Sequence, residues 1–71
     1  MEIRYQLVFI EKGDNYEQHE WYDDEFSAVS DFNTMTQAEP DLYTYVKLSR
    51  IEIDLRASEE EITILVEWFH D

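Results

Sequence analysis

Residues 42–55 read LYTYVKLSRIEIDL, and the fold turns on how this stretch is read. Its apolar residues alternate with polar ones, the period of a strand. The alternation changes phase on the way: Leu42, Val46 and Leu48 are even-numbered, whereas Ile51, Ile53 and Leu55 are odd-numbered. A slip of one residue exchanges the two faces of a strand. The stretch therefore predicts a long strand with a bulge or break near Ser49 and Arg50.

Downstream, the last segment supports two readings. Ser58-Glu59-Glu60-Glu61 is a capping-box spelling, and Ile62, Leu65, Val66 and Phe69 follow at helical spacing. Yet Ile62, Ile64, Val66 and Trp68 alternate cleanly, and EITILVEWF is rich in strand formers. The strand is preferred, because a hairpin through the Arg56–Glu60 turn pairs it directly with Ile51–Leu55.

Upstream, residues 2–10 predict a strand with Ile3, Tyr5, Leu7 and Phe9 on one face. Val8 and Ile10 make its other face apolar too, as in a central strand. Lys12 to Asn15 is a turn, since Gly and Asn tolerate positive φ. Residues 16–22 return as a second strand, polar on both faces as a charge-protected edge would be. Residues 27–38 predict a helix with Ser27 as N-cap and Ala28, Val29, Phe32, Met35 and Thr36 along its buried stripe. Asp23 to Glu25, just upstream, suit the positive end of the helix dipole. Pro40 forbids continuation. The expected fold is α+β: ββαββ, an antiparallel four-stranded sheet with one helix packed on one face, in a single acidic domain over residues 1–71.

The 71 residues contain no Cys, so neither a disulfide nor a thiolate metal site staples the fold. A core this small leaves only about 3–5 kcal/mol of net stability. No basic segment followed by an apolar run suggests a signal peptide, and the longest apolar run, Leu7 to Ile10, is too short for a membrane span. The expected location is the cytoplasm, the host's if the protein is viral. Two Trp, five Tyr and four Phe set the chain apart from disordered acidic sequences.

The charge is the main functional signal. Eighteen carboxylates against five Lys and Arg give a formal net charge of −13. Between Gly13 and Val46 there are nine carboxylates and not one Lys or Arg, and Ala57 to Asp71 adds five more, again without a basic residue. Self-repulsion of that size opposes folding, and a net charge of roughly 2–8 already keeps a small domain soluble. The excess therefore points to a function, weighed against a merely acidic or halotolerant surface.

No catalytic or cofactor motif is present. Paired carboxylates abound, but none is marked as buried in a cleft, which general acid/base work requires. His19 with Glu17, Glu20, Asp23 and Asp24 is the best metal cluster, yet it lacks the calcium-loop spelling and its Gly. A solvated charged surface is the better reading. No phosphate loop exists, and direct nucleic-acid binding needs a basic patch that this chain lacks. The expectations are no enzyme, no cofactor, no metal and no membrane.

Rows of carboxylates on a folded scaffold can instead occupy a groove built for phosphates, because same-face residues of a strand recur every ~6.6–6.8 Å and duplex DNA carries dense negative charge. Glu17 to Glu25 combines five acids with Trp21 and Tyr22, residue types common at binding hot spots. Core packing is the competing reading for both aromatics, and the preferred one for Trp68 and Phe69. The length, the ββαββ pattern and the acid-rich segments Glu17–Glu25 and Glu59–Glu61 resemble small acidic inhibitors made by phages and other mobile elements, a class that includes DNA-mimic and many anti-CRISPR proteins. The resemblance implies a stoichiometric blocker of a nucleic-acid-handling host protein such as a CRISPR nuclease, a restriction enzyme or a repair enzyme. The expected contact residues are Glu17, Glu20, Trp21, Tyr22, Asp23, Asp24 and Glu25, extended by Asp31, Glu39 and Asp41. The expected partner is a basic nucleic-acid-binding protein. The alternative is a small structural or adaptor module acting as a homodimer, since small folds are commonly supplemented by association.

Overall fold

Ten residues of β1 (Glu2–Glu11) run antiparallel to β2 (Gln18–Tyr22) on one side and to β3 (Tyr43–Asp54) on the other. The last strand, β4 (Glu59–Phe69), pairs antiparallel with β3, giving the sheet order β2-β1-β3-β4. One helix, α1 (Glu25–Asn33), lies on one face and continues as a π-helical turn over Thr34–Ala38. The structure, a computed structural model, describes residues 1–70. It is the ββαββ α+β arrangement that the sequence predicts, with the last segment a strand.

The local departures have physical causes. The second strand starts at Gln18, not at residue 16, because Tyr16 and Glu17 still belong to the turn region. Helix α1 starts earlier than expected, and its N-cap is Asp24, not Ser27. The Asp24 carboxylate accepts from the Ser27 amide at 3.0 Å and from the Ser27 hydroxyl at 2.9 Å. Both residues can cap, and the carboxylate takes the cap because it accepts two bonds at once and suits the helix dipole. The expected stripe holds: Ala28 and Phe32 are buried, with Val29 and Met35 packed against them. At the helix end the Glu39 amide reaches back to the Thr34 carbonyl at 3.0 Å, one residue further than an α-helical bond. Pro40 then diverts the chain through a short 3₁₀ turn, Pro40–Leu42, into β3.

The phase change in β3 is real, but β3 itself does not slip. Its pairing with β1 is continuous from Glu2↔Ile53 to Ile10↔Tyr45. The register shift near Ser49 lies between β3 and β4: Leu48 faces Val66 and Ser49 faces Ile64, so Leu65 of β4 is the extra residue. The expected bulge thus sits on the partner strand. The apolar residues of β3 genuinely change faces. Val46 and Leu48 meet Leu7 and the helix, while Ile51 lies on the opposite face between Arg4 and Ile62. The extra Leu65 lets β4 follow the change, with Ile62 and Ile64 on the open face and Val66 and Trp68 on the helix side.

One sheet therefore holds two half-cores on its opposite faces. Leu7, Val46 and Leu48 are buried beneath Ala28 and Phe32. Val8 and Ile51 are equally buried on the other face, where no helix covers them and flanking side chains do the shielding. Ser49 is buried between the two zones, and its Oγ finds no hydrogen-bond partner among the described residues. A second shift, between Ile10 and Glu11, leaves Thr44 over. Tyr43 consequently stacks edge-on against Phe9 at 5.7 Å on the helix side, while Tyr45 packs on Phe69 at 5.0 Å on the open face.

Trp68 joins the core as expected, but Phe69 does not: it stays exposed, because the face it shares with Tyr45 has no covering layer. Gly13 takes a φ of +93° in the β1–β2 turn, which its missing Cβ permits. In the β3–β4 turn Asp54 accepts from the amides of Arg56 and Ala57 at 3.0 and 3.3 Å, and Ser58 closes the turn at a φ of +54°. No described helix is long and apolar enough to cross a membrane.

Candidate functional site

Strand β2 and helix α1 flank a shallow open groove of about 360 Å³. The aromatic rings of Phe9, Tyr22 and Tyr43 line it, and Met35 adds an apolar wall. Glu20 rises from β2 and Asp31 from α1 at its rim. The strand period explains the placement: Glu20 and Tyr22 face the helix side because their partners on β1, Leu7 and Tyr5, do. The Tyr22 hydroxyl donates to Asp31 Oδ2 at 2.6 Å, tying the strand to the helix. Burial raises the Tyr22 phenol above its ordinary value, and Asp31 and then Glu20 add to the shift. Burial also raises the Tyr43 phenol, and the charges of Glu39 and then Glu11 add to the shift.

The ten residues expected from the sequence divide accordingly. Glu20, Tyr22 and Asp31 share the groove, whereas Glu39 does not line it and precedes the Pro40–Leu42 turn. Asp23, Asp24 and Glu25 are exposed at the start of α1. The two hydrogen bonds from Ser27, hydroxyl first and amide second, hold the Asp24 carboxyl below the usual aspartate value. Its role is partly structural, as a cap. Glu17 precedes β2 and lies 3.9 Å from His19 Nε2. Trp21 is not with the others: it pairs across from Gln6 on the opposite face of the sheet, exposed and outside the core. Asp41 points away as well, 3.4 Å from His70 Nε2.

Among the described residues, none of these carboxylates lies within 4.0 Å of a Lys or Arg nitrogen; the Lys/Arg ion pairs are Arg4–Glu2 at 2.9 Å and Arg50–Glu52 at 3.2 Å. The expected acids therefore keep their charge uncompensated. Phe26 was not anticipated: it stands 84% exposed between Glu25 and Ser27. Its signal was available, since an N-cap at Asp24 puts residue 26 off the stripe formed by Ala28, Val29 and Phe32.

A second concentration of acid lies at the other end of the sheet. Glu52, Asp54, Glu59, Glu60 and Glu61 surround a hollow of about 150 Å³ with Met1. Glu52 faces Glu61 and Asp54 faces Glu59 directly across the β3–β4 ladder. Like charges so paired oppose the hairpin they sit on. Glu20, Asp23, Asp24, Glu25 and Asp31 thus lie along the β2–α1 side, and Glu52, Asp54, Glu59, Glu60 and Glu61 lie around the β3–β4 hairpin. Among the described residues, no group of three or more His, Asp or Glu is placed to hold a metal ion. No protein-family model, curated protein or solved structure matches this chain.

Proposed function

We propose that this chain is a non-enzymatic acidic binding protein that occludes the basic nucleic-acid-binding surface of another protein, a host defence or repair enzyme, in the manner of a DNA mimic. The observation that supports this reading most directly is the margin formed by β2 and α1. There Glu20 and Asp31 border aromatic rings, and Asp23, Asp24 and Glu25 lie exposed at the start of α1, without a Lys or Arg nitrogen within 4.0 Å among the described residues. Carboxylates left unpaired direct their field at an incoming cation and steer its approach. An Arg or Lys entering the groove meets carboxylates and the ring faces of Tyr22 and Tyr43 together. Cations spaced for phosphates are what a nucleic-acid-binding surface offers.

The test is competition. The protein is titrated against labelled duplex DNA bound to a CRISPR nuclease, a restriction endonuclease and a repair enzyme. Displacement from at least one is expected, weakening as salt rises. Glu17→Lys, Glu20→Lys and Asp23→Lys together should reduce displacement about tenfold or more without unfolding the domain, because all three are exposed and none caps the helix. Glu59→Lys with Glu60→Lys, at the far hairpin, should leave it nearly unchanged. Displacement that survives the first set, or is abolished by the second, assigns the contact elsewhere.

A further inference from the structure

The face of the sheet opposite the helix has a different chemistry from the rest of the molecule. Trp21, Ile62, Ile64 and Phe69 lie on it at 52, 59, 51 and 65% exposure, around the buried Val8 and Ile51. A solvated face of an antiparallel sheet is ordinarily polar. Its charges are also close to balance. Within the strands it carries Arg4 and Lys47 against Glu2, Glu60 and Glu67, in a protein of formal charge −13. Arg4 is bound to Glu2, and Lys47 stands directly across from Glu67.

We propose that this open face is the interface for a second copy of the chain, the two sheets packing face to face with the helices outermost. Three observations select this occupant. A two-fold interface uses the same patch twice, so it must be self-complementary, which an apolar face of balanced charge is. A second −13 molecule meets here only the three strand carboxylates Glu2, Glu60 and Glu67, set among Arg4 and Lys47, whereas the β2–α1 margin and the hairpin tip would oppose acids to acids. The size also suffices: Cα extents of 42 × 25 Å outline a face on the order of 1,000 Å², against about 800 Å² per partner in a standard interface. A cationic partner gains little on this face, where Arg4 and Lys47 nearly offset Glu2, Glu60 and Glu67. Aligned sheet packing at about 10 Å separation would bury Trp21 and Ile64, which lie in one row across the strands with Gln6 and Ser49.

The proposal stands apart from the functional reading above, and salt separates the two. Binding of a basic partner weakens as salt rises. Dimerisation of two like-charged molecules through an apolar face tightens, because screening removes their repulsion. The experiment is sedimentation equilibrium of the whole chain from ~10 μM to ~1 mM at ~20 and ~500 mM NaCl, with amide hydrogen exchange at both ends of the series. A monomer–dimer equilibrium shifted toward dimer by salt is expected. Ile62→Thr with Ile64→Thr, which keeps β-branched residues in the strand, should weaken it about tenfold or more at unchanged circular dichroism. If that pair unfolds, Trp21→Thr on the opposite margin of the face replaces it and should act in the same direction. Outward β4 amides should keep exchanging rapidly in the dimer, since stacked faces leave the edges free. A monomer at ~1 mM in high salt, a dimer indifferent to these variants, or new protection along β4 from edge pairing would each overturn the proposal.

Discussion

The two faces of this sheet bury side chains equally well by different means. Under the helix, Leu7, Val46 and Leu48 sit against Ala28 and Phe32; at the periphery Glu20 and Asp31 have no Lys or Arg nitrogen within 4.0 Å among the described residues, while Glu52 pairs with Arg50 at 3.2 Å. On the other face Val8 and Ile51 are shielded sideways, by strand neighbours; there Arg4 pairs with Glu2, and Lys47 stands across the ladder from Glu67. The difference teaches that burial and covering are separate properties. A sheet can bury Val8 and Ile51 on a face that no helix covers when neighbouring side chains close over them.

The sharpest test of this contrast compares two buried residues of similar size. Leu48→Ala should cost about 3–5 kcal/mol in urea unfolding, near the whole stability of a domain this small, because the helix cannot fully collapse onto the gap. Ile51→Ala should cost less, about 2 kcal/mol at micromolar protein, because the unroofed side chains around it are free to close the space. Equal losses would mean that the open face is packed as firmly as the covered one.

A smaller effect separates the faces by pH. Asp24→Ala should lower the melting temperature at pH 7, whereas Asp24→Ser should largely retain it. The Asp24 carboxyl titrates below its ordinary value in the folded protein because Ser27 donates two hydrogen bonds to it. Its contribution is therefore complete above about pH 4 and is lost as pH falls through the lower folded value. Wild type and Asp24→Ala should converge in acid. On the open face the opposite end of the scale applies: burial first, and the hydrogen bond to Glu67 second, push the Tyr45 phenol up to about 12.

The smallest expected effect concerns charge pairs. Melting temperature should rise between ~10 and ~200 mM salt, as the Debye length falls from about 30 Å to under 10 Å. At low salt Glu61→Gln should raise it, by relieving the Glu52 repulsion, and Glu67→Gln should lower it, by removing the partner of Lys47. Each change is worth under about 1 kcal/mol. Equal responses at the two positions would remove the distinction between compensated and uncompensated regions.

Much of this was legible in the sequence. Strand periods at 2–10 and 42–55, the stripe from Ala28 to Met35 and the stop at Pro40 all correspond to the structure. The phase change of Leu48 and Ile51 was legible as well, but not which strand carries the extra residue, since a bulge is defined only against a partner. The cap was ambiguous because Asp24 and Ser27 are both good caps and bond to each other. The acids of the candidate site could be named from composition. That Glu20 and Asp31 face one groove, and that Trp21 faces away from it, depends on β2 pairing Glu20 with Leu7, a register that a polar strand does not announce.

Leu65 has a consequence beyond its own position. It works like a single-tooth skip between two gears, keeping β4 in mesh with both halves of β3. Were Leu65 paired in an unbroken ladder instead of bulged, Ile62 and Ile64 could stay beside Ile51 only if Val66 and Trp68 turned outward from the helix. One inserted residue, too minor to change the strand count, thus decides whether a single peptide segment can serve both sides of the slab at once.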